Sequence, residues 1–219
     1  MRPTLTVEVW SDVVCPWCYI GKRRFEQAAT VLADEVDLQV VYRPYQLDPR
    51  ARPGETMPVA EAYAQKFGGP EAAQKAIRHV TTLAAAEGIE FHMDRALRAN
   101  TLLAHRLLFL AEATGQQEAL KERLLRAYFC DGLDVGHPDV LADLAAEVGM
   151  PRDAVAAFLA SDDGTSEVRQ MIGIAEDNGI NAVPTYVLDG RFMVPGAQDA
   201  DTFVNVIRRA LARRSEESA

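Results

Sequence analysis

Two of the chain's three cysteines stand two residues apart in Ser-Asp-Val-Val-Cys-Pro-Trp-Cys-Tyr-Ile-Gly, residues 11–21. Such a pair can hold a metal, lock a fold, sit inert in a core, or exchange electrons with other thiols. The surrounding residues narrow the choice. Residues 4–10 read as a strand, rich in β-branched and aromatic types. Pro16 fits the first position of a helix, where its missing N–H costs nothing. Cys15 then lies at a helix head, beside free N–H groups and the positive end of the helix dipole. Both favour the thiolate, which is the nucleophile. Cys18 returns to the same face one turn later, close enough to close a small ring with Cys15. The spacing predicts Cys15 as an exposed attacker and Cys18 as a shielded resolving thiol that releases a mixed disulfide. Pro16 and Trp17 stiffen and cover the turn and belong to the substrate-binding surface. Neither carries a charge, so thiolate stabilisation here rests on backbone dipoles.

The other uses fit less well. A zinc site wants four ligands, usually a second Cys or His pair at matching spacing. Cys130, His79, His92, His105 and His137 are scattered without such pairing, so no metal is assigned. Met1-Arg2-Pro3 runs directly into the first strand with no secretory leader, which gives a cytoplasmic reading. Thiols there are kept reduced, and a structural disulfide is disfavoured. Inert burial would not explain Cys-x-x-Cys at a strand-to-helix join. The redox reading is preferred on that context.

The elements that must position this pair follow from periodicity. After strand 4–10, Pro16 to Ala33 has helical spacing and Asp37 to Tyr42 reads as a strand, a βαβ unit with parallel strands. Residues 48–58 are turn-rich. From about 59 to 160 everything reads helical, over Val59–Phe67, Pro70–Glu87, Thr101–Thr114, Gln116–Cys130, Pro138–Val148 and Arg152–Ala160, with glycines as stops. A helix over Thr165–Gly179 leads to strand Ala182–Leu188, an Asp189-Gly190 hairpin signal, strand Arg191–Val194 and a last helix over Asp199–Arg214. The pattern predicts an α/β chain: residues 1–48 and 164–219 as two parts of one domain around a mixed sheet, and 49–163 as an all-helical insertion. At 219 residues and 48% hydrophobic, it needs no disulfide scaffold to build a core. A net charge of -9 argues against nucleic-acid binding, which wants a basic face. No segment has the ~18 consecutive apolar residues of a membrane span.

Val183-Pro184-Thr185 opens the late strand, where proline is ordinary. Combined with the cysteine pair it resembles the thioredoxin arrangement, with Val183–Pro184 in cis and packed on the cysteines. The proline then keeps that edge open, and the Val183 backbone can pair with an extended substrate by strand addition. The stretches 11–21, 100–107 (Asn-Thr-Leu-Leu-Ala-His-Arg-Leu), 127–136 (Ala-Tyr-Phe-Cys-Asp-Gly-Leu-Asp-Val-Gly) and 183–198 together resemble DsbA-family thioredoxin-fold oxidoreductases, specifically their cytoplasmic FrnE-like branch. The resemblance covers nearly the whole chain. It implies a thioredoxin fold (βαβ and ββα around a mixed sheet) with a large helical insertion. It also implies a nucleophilic Cys15, a resolving Cys18 and a cis Pro184, with Val183 and Thr185 beside the substrate. The implied partners are protein or small-molecule thiols and disulfides, with no bound cofactor and glutathione as a possible co-substrate. Two departures bear on the transfer. Trp17 stands where periplasmic relatives carry a His between the cysteines, so a strongly oxidising character does not carry over. Val9 lies nearer than Glu8 to the place of the buried acid some relatives keep. The same scaffold resembles glutathione-dependent 2-hydroxychromene-2-carboxylate isomerases and kappa-class transferases, an alternative enzyme class whose members need no second cysteine.

Other residues admit two readings each. Glu8 is a proton relay or a solvated strand acid. Cys130 is a third redox thiol or a small buried hydrophobe. His105-Arg106 and Tyr42-Arg43-Pro44-Tyr45 line the cleft between the two parts, or serve packing. Trp10 reads as core. Asp199 holds the amino end of a glutathione-like ligand, or caps a helix.

Overall fold

A computed structural model of the chain describes residues 2–217. The chain runs β1 (Thr4–Ser11), α1 (Pro16–Val31), β2 (Asp37–Pro44), then β3 (Met57–Pro58), α2 (Val59–Phe67), α3 (Pro70–Ala86) and β4 (Leu97–Arg98). It continues through α4 (Leu102–Thr114), α5 (Gln117–Arg126), a π-turn (Ala127–Asp131), α6 (Pro138–Glu147), α7 (Arg152–Ala160) and α8 (Thr165–Asp177). It closes with β5 (Thr185–Leu188), β6 (Phe192–Pro195) and α9 (Ala200–Glu217).

The main sheet has the order β2-β1-β5-β6. β1 pairs with β2 in parallel and with β5 antiparallel, setting Val9 between Tyr42 and Tyr186. β1 is central, covered on both faces: one is apolar at Leu5, Val7 and Val9, and the other carries Thr4, Thr6 and Glu8 before the buried Trp10. Leu5, Val7 and Val9 meet Phe25, Ala28 and Leu32 of α1 and Phe203 and Ile207 of α9 on one face. Trp10 meets Ala175 and Ile180 on the other. Asp189 and Gly190 both take positive φ, 47° and 67°, the pair of values a two-residue hairpin of the twisted type needs.

The inserted helices build a second core of Leu107, Leu108, Leu120, Leu124, Leu125 and Phe129, and that cluster is continuous with Val13, Tyr19 and Ile20. α1 therefore packs on the sheet with one side and on the insertion with the other. Glu122 of α5 ties the two, accepting from Tyr19 Oη at 2.8 Å and pairing with Lys22 at 2.9 Å.

Two local features differ from the sequence reading. The 59–160 stretch is not wholly helical, because Met57–Pro58 and Leu97–Arg98 pair as a two-stranded antiparallel ladder. The helix read over Gln116–Cys130 gives way to the π-turn after Arg126. That wider turn lets the Phe129 carbonyl accept from His92 N–H at 2.6 Å and stacks Phe129 on Phe91 with ring centroids 4.4 Å apart. Gly132 ends it at φ 70°, where a Cβ would lie 2.5 Å from Cβ of Arg95.

Candidate active site

The corner between β1 and α1 presents the cysteines. Cys15 is the N-cap of α1, with φ -91° and ψ 112°. Its Sγ accepts the Cys18 backbone N–H at 3.2 Å, the place usually filled by a Ser, Thr or Asp oxygen. No acidic residue lies in the first turn of α1, so nothing there opposes negative charge on the sulfur. The Cys15 thiol also donates to the Val183 carbonyl, 3.6 Å away. The Val183–Pro184 peptide is cis. Gly21 lets α1 approach that segment: a Cβ there would stand 2.8 Å from Tyr186 Oη and 3.1 Å from Pro184 Cγ. Cys18 lies one turn behind, hydrogen-bonded to the Cys15 side chain. Burial first, and then that bond, push its thiol well above the usual range.

Exposure requires a correction. Cys15 is 2% exposed, not the open attacker the spacing predicted. The cause is tertiary. α3 packs on α1, the Trp17 and His79 rings meet at 5.8 Å, and Tyr63 of α2 lies within electrostatic reach of Cys15. Burial, with the Cys15 charge adding to it, pushes the Tyr63 phenol to about 12. Pro16, Pro184 and Thr185 are buried, while Trp17 and Val183 are half-buried. Thr185 gives its hydroxyl to the Ala182 carbonyl at 2.8 Å and pairs with Trp10 and Pro195 in the sheet. Its hydroxyl is thereby occupied within the chain. A cavity of about 580 Å³ opens beside Val14, lined among others by Val59, Tyr63, Lys66, Arg98 and Tyr128.

Two residues that the sequence reading passed over stand behind the cysteines. Asp12 is fully buried. Its Oδ1 accepts from Val13 N–H at 2.8 Å and His105 Nε2 at 3.1 Å, and its Oδ2 from Leu47 N–H at 2.8 Å. His105 Nε2 also lies 3.0 Å from the Tyr45 carbonyl. Flanked by two acceptors, that nitrogen carries the proton. Burial works against the Asp12 charge, but the bonds and charge of His105 and the Leu47 amide prevail and hold its carboxyl below the usual range. His105 thus joins the cysteine corner to α4. Lys121 of α5 is 1% exposed, and its Nζ has no hydrogen-bond partner. Its ammonium position stands 5.5 Å from the Tyr42 ring centroid. An acid inside the apolar run before Cys15 was the available signal for Asp12. For Lys121 it was the shared face with Leu125 and Tyr128, four and seven residues on.

The remaining candidates take structural places. Glu8 pairs with Arg43 at 2.8 Å, and Arg43 pairs on with Glu112 at 3.1 Å. Asp199 caps α9, accepting from Thr202 N–H at 2.7 Å. Trp10 is buried. Cys130 is half-buried on the π-turn, its thiol raised by burial and by Asp131. Among the described residues, no three His, Cys, Asp or Glu side chains are grouped to hold a metal, and no helix is long and apolar enough to cross a membrane.

The family model for the DSBA-like thioredoxin domain matches residues 6–208. An uncharacterised protein of Bacillus subtilis, YwbO, is 28% identical over 206 residues, covering 93% of this chain and 96% of its own. The solved structure of a probable DsbA oxidoreductase from Streptomyces coelicolor superposes with a TM-score of 0.88 at 35% identity, over 95% of this chain and 90% of that one. The cytosolic disulfide reductase DsbM of Pseudomonas aeruginosa, solved with glutathione, shares the fold at a TM-score of 0.66 and 19% identity, over 94% of this chain and 99% of that one.

Proposed function

The chain belongs to the DSBA-like thioredoxin domain family, and from that premise we propose that it is a thiol–disulfide oxidoreductase working through Cys15 and Cys18. In the reducing direction, the Cys15 thiolate attacks a substrate disulfide, one substrate sulfur leaves as a thiolate, and a mixed disulfide forms at Cys15. The Cys18 thiolate then attacks Cys15. The second substrate sulfur leaves, and a Cys15–Cys18 disulfide remains. The oxidising direction is the same sequence reversed. The observation that carries the reading is the capping geometry: Cys15 Sγ accepts the Cys18 N–H at 3.2 Å at the head of α1, where negative charge on sulfur is stabilised. Trp17 and the Val183 carbonyl border the path to the sulfur, with Pro184 behind them. Residues 1–48 and 164–219 form the redox part of this reading, and 49–163 the covering insertion.

The FrnE-like branch, a cytoplasmic setting and glutathione as co-substrate belong to the same proposal. The naming of DsbM as cytosolic, and its solution with glutathione, support the last two. The test is reduction of insulin by the purified protein with dithiothreitol. Cys15→Ser is expected to abolish it, and Cys18→Ser to accumulate the mixed disulfide. Activity that persists in Cys15→Ser would refute the reading. Glutathione-dependent turnover that survives Cys18→Ser would assign the chain to isomerase or transferase chemistry instead.

A further inference from the structure

The cavity of about 580 Å³ beside the cysteine corner is walled mostly by the insertion, and its charge runs against that of the chain. The β3–β4 ladder, extended by the Val59 N–H on the Ala96 carbonyl at 2.9 Å, fixes the start of α2. Val59, Tyr63 and Lys66 then share one face of that helix, at spacings of four and three, and all three line the cavity. Arg98 of β4 and Arg50 of the loop after β2 line it too. One Asp48 oxygen lies 2.6 Å from two nitrogens of Arg98. Among the described residues, Arg50 and Lys66 meet no carboxylate. Three cations therefore face one anion, in a chain whose net charge is -9. Two phenols complete the wall. Tyr128 is 2% exposed, and neither its hydroxyl nor that of Tyr63 has a hydrogen-bond partner among the described residues. Burial raises both phenols, Tyr63 to about 12, so they stay neutral donors beside the cations. A hydroxyl held that deep is satisfied only by what enters the cavity.

We propose that this cavity selects polypeptide substrates that carry an acidic side chain beside the reactive cysteine, which rests on the redox reading above. Val14 lines the cavity and Cys15 follows it directly. A residue one or two places from a substrate sulfur at Cys15 lies about 4–7 Å along an extended chain, which brings its side chain to the cations. The carboxylate takes Lys66 and Arg50 as charged donors and the phenol hydroxyls as neutral ones. A side-chain amide can accept the same bonds only as a neutral group, and more weakly. Two exposed apolar side chains favour a polypeptide over a small polar thiol. Leu47, which also lines the cavity, is 38% exposed, and Phe67, next to Lys66, is 45% exposed. An apolar residue beyond the acid covers them, whereas glutathione has none to offer. The acidic remainder of the chain is screened over about 8 Å at physiological salt, so it repels extended polyanions without cancelling cations that meet a single carboxylate at contact.

The test uses the full chain carrying Cys130→Ser, reduced, with peptides acetyl-Leu-X-Cys-X-Leu-amide in which X is Glu, Gln or Lys. Each peptide carries its cysteine as a 2-pyridyl disulfide, whose leaving group has no carboxylate. The Cys15 thiolate attacks the peptide sulfur, and the bond to the pyridyl sulfur breaks. The pyridinethiolate leaves with the electron pair, takes a proton from solvent and is read by its absorbance. Cys18 then attacks Cys15, frees the peptide thiolate and leaves the Cys15–Cys18 disulfide. The Glu peptide is expected to react about tenfold faster than the Gln peptide, the step from a neutral to a charged acceptor, and the Lys peptide more slowly than either. Lys66→Glu is expected to bring Glu and Gln within about twofold, and Tyr128→Phe, which removes only the hydroxyl, to lower their ratio about threefold. Each ratio is taken within one protein, so a general loss of activity cancels. The 2-pyridyl disulfide of glutathione, lacking the apolar cover, is expected to react about fivefold more slowly than the Glu peptide. Equal rates for Glu and Gln in the parent, or an unchanged ratio in either variant, would overturn this selectivity alone. A glutathione derivative as fast as the Glu peptide, and slowed as much by Lys66→Glu, would overturn the choice of a polypeptide. No release from any of them by the parent would overturn the redox reading and this selectivity with it.

Discussion

Replacing Asp12 isolates the bond that joins the cysteine corner to the rest of the molecule. In Asp12→Asn the amide oxygen can keep Val13 N–H and His105 Nε2, but its NH2 group then faces the Leu47 N–H. One bond to a charged acceptor is lost, worth about 1.5–3 kcal/mol. Asp12→Ala orphans three donors in a buried site, each worth about 1–3 kcal/mol, which at the low end, where relaxation re-pairs part of the set, costs about 3–5 kcal/mol. For a chain of this length each kcal/mol moves Tm by about 2–4 °C, so the alanine variant is expected to melt about 6–20 °C lower and the asparagine variant in between. Differential scanning calorimetry on the reduced protein measures both. The pH dependence has a definite sign. The folded pKa of Asp12 is depressed, so its contribution is complete above the unfolded carboxylate value. It fades as pH falls through the folded one, and the gap between parent and variant should close only in acid. An Asp12→Ala protein that melts within about 1 °C of the parent near neutral pH, at most about half a kcal/mol on that scale, would refute the claim that Asp12 clamps the corner.

Gly21→Ala is expected to destabilise the protein: overpacking against Tyr186 and Pro184 costs about 1–3 kcal/mol, against at most about 1 kcal/mol of helix propensity gained. Urea titration checks this, and a net stabilisation would show that the α1–Pro184 contact is slack. Cys130→Ser should leave insulin reduction within about twofold of the parent, since that thiol is raised rather than activated. A larger loss would make Cys130 part of the redox cycle.

The geometry of the cysteine corner was legible because local rules suffice for it. Cys-x-x-Cys after a β-branched run, Pro16 at a helix start and Asp189-Gly190 between apolar stretches each imply their own geometry. Helices such as Val59–Phe67 and Arg152–Ala160 were readable from apolar spacing and glycine stops. Residues 57–58 and 97–98 were not, because a two-residue strand is too short to show a period. The π-turn escaped because its cause, the His92 N–H reaching the Phe129 carbonyl, lies in a segment distant along the chain. The burial of Cys15 escaped for a similar reason: helix-head chemistry is local, while burial depends on segments distant along the chain, such as the Val183 carbonyl that meets its sulfur. Lys121 looks like one more cation on a charged helix until α5 is laid against Tyr42.

The central position of β1 has a consequence for the order in which the protein is made. Its partner on one side, β2, emerges soon after it, but its partner on the other side is residues 185–188, which emerge only after the whole helical insertion. Val183, whose carbonyl meets Cys15, also follows the insertion. A nascent chain leaving the ribosome N-terminus first therefore carries both thiols without these partners until residues 183–188 emerge, and the surrounding redox poise acts on them before the fold does.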